Sequence, residues 1–217
     1  MILLQKLVVE IIKFFDQNVT NASERAVVEQ LKSVSLRNED FVSPKVKKIP
    51  KERALKQALS AMSEAALKNI RECIWEAYSE IQWNIDSGLF YEKDSGIGQQ
   101  YLNGNMHTEF IGSKNGAFKS DELRLGLFLL EPNIFYQDHK HEAPELYLNL
   151  TKGTEWRFEK TPWQEKDSGS IIYNEPFRVH AIKTNRLPFL SVWCWPKNSV
   201  KKCIVVPQCR LNEFDRK

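Results

Sequence analysis

The stretch YQDHKHEAPELY, residues 136–147, decides the reading of this chain. It places His139 and His141 two residues apart and Glu145 four residues further on. A third histidine, His180, follows within PFRVHA, residues 176–181. The chain has only four histidines, so three of them in two short segments mark one site. In extended backbone, side chains two residues apart share a face. A bend then lets the carboxylate reach the same point, and an imidazole from a neighbouring strand completes the set. Taken alone, an H-x-H pair is as readily two unrelated strand histidines. The correctly spaced Glu145 and the later His180 turn the balance toward a metal site. Imidazole and carboxylate together suit one divalent transition metal: Zn, Fe, Mn, Ni or Co. The fourth histidine, His107, has no partner pattern and reads as structural.

The sequence around this stretch has the character of a small β fold. From His107 onward, apolar runs alternate with turn residues: LRLGLFLLE (123–131), ELYLNL (145–150), TEWRFEK (154–160), GSIIYNE (169–175), HAIKT (180–184), FLSVWCWP (189–196) and CIVVP (203–207). Short strands at this spacing indicate a sandwich or barrel.

Before about residue 90 the pattern is helical. Leu3, Leu7, Ile11 and Phe14, with Leu4, Val8 and Phe15 beside them, form one apolar stripe. Asn21 or Ser23 can cap a second helix through AVVEQLKSV. From Lys51 to about Ile85 the chain has no Gly or Pro and reads as one long helix, or two with a break near Ser63. Residues 86–105 hold four of the nine glycines and read as an irregular connection. The expected class is α+β, with a helical region over 1–100 and a β-barrel over 101–217.

Composition narrows the partners. With 217 residues and a net charge of +3, nothing demands a nucleic-acid partner. The basic run KVKKIPKER (45–53) reads as a solvated linker and helix start. The first helix lacks the basic flank and cleavage site of a signal peptide, and no stretch approaches a transmembrane span. Cys73, Cys194, Cys203 and Cys209 show no C-x-x-C spacing. Reduced thiols in a cytoplasm are therefore expected, with a Cys203–Cys209 bridge as the other pairing. The apolar first helix allows a homodimer.

The pattern H-x-H-x-x-x-E with a later His resembles the cupin fold, in which four such side chains hold one divalent metal inside a jelly roll. Three positions depart from the usual cupin motifs. Asn133 and Phe177 stand where glycines are common, and Thr184 replaces an Asn. The longer pattern Y-x-x-H-x-H-x-x-x-E-x-Y, with RLGLFLL before it and HAIKT and PFLSVWCW after it, is similar to the cupin-type dimethylsulfoniopropionate (DMSP) lyase family. That resemblance implies a metal-dependent carbon–sulfur lyase that splits DMSP into dimethyl sulfide and acrylate.

For such a reaction the resemblance marks Tyr136 and Tyr147 as active-site groups, Tyr136 as the base and Tyr147 as metal-side ligand, substrate anchor or alternative base. Trp193, Trp195 and Trp156 are candidates to receive the sulfonium on their ring faces. Two other readings share these residues. One is a cupin dioxygenase, isomerase or lyase acting on another small carboxylate. The other is a non-catalytic, ligand-sensing cupin whose helices mediate assembly.

Overall fold

The computed structural model describes residues 2–197 and 201–207. Five helices come first: α1 (Leu3–Asn18), α2 (Ala22–Lys32), α3 (Glu52–Ala61), α4 (Lys68–Glu76) and the short α5 (Gln99–Gly104). Ten strands follow: β1 (Asn105–His107), β2 (Leu123–Leu130), β3 (Phe135–Lys140), β4 (Glu145–Asn149), β5 (Thr154–Phe158), β6 (Gln164–Lys166), β7 (Ile171–Asn174), β8 (His180–Thr184), β9 (Phe189–Pro196) and β10 (Ile204–Val205). They form two antiparallel sheets, β1-β2-β9-β4-β7 and β10-β3-β8-β5-β6, the two layers of a cupin-type jelly roll. The expected α+β class and cupin barrel are what the chain adopts. Among the described residues, no helix is long and apolar enough to cross a membrane.

Two alternating strands explain how the helices and the barrel share one sheet. In β2, Leu123, Leu125, Leu127 and Leu129 join the core built with the helices, while Phe128 and Leu130 face the barrel interior. Its partner β9 divides the same way, with Leu190, Val192 and Cys194 toward the helices and Phe189, Trp193 and Trp195 inward. A strand buried on both faces reads as a nearly continuous apolar run, as both of these do. Gly126 interrupts β2 because the backbone passes close there: a Cβ at this position would lie 1.9 Å from the Thr108 carbonyl oxygen.

The first helix follows its apolar stripe, burying Leu4, Leu7, Val8, Ile11, Phe14 and Phe15 against α2 and α4. That face packs within the chain. Asn21 caps α2 through a capping box: its side chain accepts from Glu24 N at 2.9 Å, and the Glu24 carboxylate accepts from Asn21 N at 3.4 Å. The segment after Lys51 is two helices rather than one. The break spans 62–64, where the Arg71 guanidinium donates to the Met62 carbonyl at 2.6 Å. Helical structure also stops at Glu76, short of the expected Ile85. Asn84 instead exchanges two 2.8 Å backbone bonds with His107. Pairing with β1 outweighs helix propensity, which is worth only tenths of a kcal/mol per residue.

Candidate metal centre and aromatic cavity

His139 lies in β3, His141 one residue past its end, Glu145 opens β4 and His180 opens β8. Cross-strand register sets His139 opposite His180, with ring centroids 4.1 Å apart. One ring nitrogen from each of His139, His141 and His180 can be chosen so that all lie within 4.8 Å of one another.

The remaining ring nitrogens show how the imidazoles are held. Nδ1 of His139 bonds to the Gln137 carbonyl at 2.8 Å, Nδ1 of His141 to Ala143 at 2.7 Å, and Nδ1 of His180 to Arg178 at 2.9 Å. A carbonyl only accepts, so each Nδ1 must carry the proton, and a ring in its neutral form turns a lone pair inward at Nε2. His180 Nε2 is buried without a hydrogen-bond partner. Glu145 Oε2 lies 3.1 Å from His141 Nε2 and 3.4 Å from His180 Nε2. Acceptors gathered this closely need a cation or a shared proton between them. The donor set, three imidazoles and one carboxylate, fits a single divalent metal ion.

The electrostatics set these groups apart. Burial and the two neighbouring histidines hold His139 well below the usual imidazole range, in its ligating neutral form. Burial opposes charge on His141, yet the Glu145 carboxylate outweighs it and raises the imidazole. Burial alone would raise Glu145, but His141 and His180 hold its carboxyl well below the usual range.

Two of the three departures from cupin motifs preserve the backbone shape that glycine would supply. Asn133 has φ 60° and Phe177 has φ 62°, both left-handed. The Phe177 N–H donates to the His141 carbonyl at 2.7 Å, tying the turn before β8 to the second histidine. Thr184 pins the turn before β3, its hydroxyl donating to Glu131 O at 2.8 Å and accepting from Ile134 N at 2.7 Å.

Beside the histidines is a small cavity of about 50 Å³, walled mostly by aromatic rings. Tyr136 and Tyr147, both marked by the sequence, line it together with Trp193 and Trp195. Trp156 is not among its lining residues; fully buried, it backs Tyr147 at a ring distance of 5.0 Å. Tyr136 is sandwiched between His139 (4.1 Å, interplanar 19°) and Tyr101 (4.3 Å, 19°), and its hydroxyl meets that of Tyr91. Burial pushes both the Tyr136 and the Tyr147 phenol well above the ordinary value. Glu145 adds to the rise at Tyr147, whereas the bond from Tyr91 works against it at Tyr136.

Among the cavity residues that escaped the sequence reading are Asp86, Phe90, Tyr91 and Tyr101. They come from the Gly-rich connection, which closes over the barrel. Asp86 accepts from the Tyr101 hydroxyl at 2.8 Å and from Gly88 N and Leu89 N at 2.9 Å each. Two tyrosines in a glycine-rich connection were the available signal. His107 also lines the cavity, edge-on to Phe90 at 5.1 Å. The Cys203–Cys209 pairing involves a position outside the described residues.

Fold and site together define a jelly-roll protein with a buried His/Glu centre opening onto an aromatic cavity. Comparisons with known proteins make the class specific. The family model described as dimethylsulfoniopropionate lyase matches residues 21–191. The chain belongs to the DMSP lyase family. It is 25% identical over 142 residues to dimethylsulfoniopropionate lyase DddQ of Ruegeria pomeroyi, covering 65% of this chain and 68% of that one. The crystal structure of that DddQ superposes with TM-score 0.65 at 19% identity, spanning 94% of this chain and 96% of the other. A chain from the crystal structures of the DMSP lyases RdDddP and RnDddQII gives TM-score 0.69 at 16% identity, over 94% and 98%. At these identities the superpositions speak for the fold alone.

Proposed function

We propose that this protein cleaves DMSP to dimethyl sulfide and acrylate by base-promoted β-elimination, with His139, His141, Glu145 and His180 holding one divalent metal ion. The observation that carries the reading is the stack of Tyr136 on His139 at the wall of the aromatic cavity. It sets a potential proton acceptor beside a carboxylate-binding centre. When bound, a divalent cation supplies Lewis-acid polarisation of the substrate carboxylate and a positive field that favours a nearby phenolate.

The chain's own residues do the rest. Tyr136, as the phenolate held by a hydrogen bond from Tyr91, takes the proton from the carbon next to the carboxylate and becomes the neutral phenol. As that C–H bond breaks, a carbon–carbon double bond forms, the C–S pair leaves with sulfur, and the acquired proton resides on the Tyr136 oxygen. Tyr147, one cross-strand step from Trp193, anchors the carboxylate end.

The sulfonium needs aromatic faces. The Arg124 guanidinium already lies 5.3 Å from the Trp193 ring and 5.8 Å from the Trp195 ring. Those indoles are poor hosts for a second cation, so the sulfonium faces Phe128, Tyr101 and Tyr147, with Trp156 bracing Tyr147 from behind.

The test is headspace dimethyl sulfide from purified protein loaded in turn with Zn, Fe, Mn, Ni or Co and given DMSP. Release abolished by His141→Ala supports the reading. No release with any metal, from protein shown to bind it, removes DMSP as the substrate.

A further inference from the structure

We propose that Trp195 is a positioning residue for the metal centre: its indole N–H holds one oxygen of Glu145 and leaves only the other to meet the metal. The inference rests on the metal-centre reading above and adds a geometry to it. Trp195 Nε1 donates to Glu145 Oε1 at 2.6 Å, whereas Oε2 faces the Nε2 atoms of His141 and His180. The two carboxylate oxygens thus have separate partners. Asn174, opposite Glu145 in the β4–β7 register, reaches Oε2 only at 3.4 Å, too long to compete.

Backbone register brings the donor there. Leu146 pairs with Cys194 between β4 and β9, so the next step outward aligns Glu145 with Trp195. The indole is held on several sides, by His141 at 4.7 Å, Trp193 at 5.9 Å and Phe90 at 6.3 Å. A short bond to an ionised acceptor from a ring so enclosed is among the stronger kind. Trp193, two residues earlier on the same face, donates instead to the Leu127 carbonyl at 3.3 Å. The two indoles look alike in the sequence yet have different partners. A carboxylate restrained to one oxygen leaves the metal a free position, which a catalytic centre needs for its substrate. Without the N–H, Oε1 is free to swing inward and close that position.

The experiment compares Co(II) binding by the parent, Trp195→Phe and Trp193→Phe proteins, following chelator competition and the visible absorption of bound cobalt. Trp195→Phe should bind cobalt about 10–100-fold more weakly. Its visible bands should also lose intensity as Glu145 adds a second oxygen and the coordination number rises. Trp193→Phe should keep the parent's metal affinity within about twofold, since its N–H is bound to backbone. If Trp195→Phe does not fold, benzothienylalanine at position 195 keeps the ring shape and removes only the N–H. Parental affinity or a parental spectrum in the Trp195 variant overturns the proposal. A parent that takes up no cobalt overturns the metal centre itself, so the two failures are distinguishable.

Discussion

Tyr136 and His139 are three residues apart on β3, yet their rings stack at 4.1 Å on one side of it. In a regular strand an odd spacing sends side chains to opposite faces. Tyr136 pairs with Ile182 and His139 with His180, so Gln137 and Asp138 of β3 are set against Ala181 alone of β8. One extra residue is accommodated as a β-bulge, a device common beside active sites. It brings the proposed base to the metal side without disturbing the His139 and His141 pair.

Substitution separates the two tyrosines. Tyr136→Phe should lower the turnover of DMSP by about 10²–10⁴-fold, the range for losing a general base, with metal content unchanged. Tyr147→Phe should raise KM more than it lowers kcat. Turnover retained in the first variant and lost in the second would move the base to Tyr147.

Phe177 holds a left-handed conformation while half exposed. A left-handed L residue costs about 1–2 kcal/mol, and glycine returns part of that through its greater freedom when unfolded. Phe177→Gly should therefore raise stability by about 0.5–1 kcal/mol in urea titrations. A loss of stability would show that the ring contributes packing there.

The sequence conveyed the candidate metal ligands better than their surroundings. His139, His141, Glu145 and His180 stood out because histidine is scarce and their spacing is chemical. The strand bearing the first of them, FYQDHK, was absent from the apolar runs, since four of its six residues are polar. Asp138, for instance, is spent on an ion pair with Arg157. Tyr91 and Tyr101 gave no periodic signal because one lies in a loop and the other on α5, too short a helix to show a period, and the end of α4 was set by pairing between Asn84 and His107. Binary patterning likewise could not distinguish Trp193 from Trp195, whose difference lies in where two indole N–H groups point.

His107 gives the pH dependence of stability a definite direction. Burial, aided by the nearby Arg124 charge, lowers its pKa to about 4. With an unfolded value of about 6.5, the unfolded chain binds the proton more readily between these limits. This contribution is present above pH 6.5 and is lost as pH falls toward 4, amounting to at most about 3 kcal/mol. His107→Gln should flatten that limb of the curve relative to the parent. Parallel curves for the two proteins would show that His107 is not the group responsible.

Metal removal should register in stability as well as in chemistry. Metal supplied at 100 times its Kd should add about 2.7 kcal/mol through mass action. A chelator should reverse the gain, and His180→Ala should show a much smaller one. Equal stabilisation of parent and variant would place the metal elsewhere.

The most direct test of the account is a proton NMR time course of DMSP with metal-loaded protein. Elimination at this site predicts acrylate and dimethyl sulfide appearing in equal amounts, with neither formed by His141→Ala. Dimethyl sulfide accompanied by 3-hydroxypropionate in place of acrylate, or equal release from the variant, would contradict it.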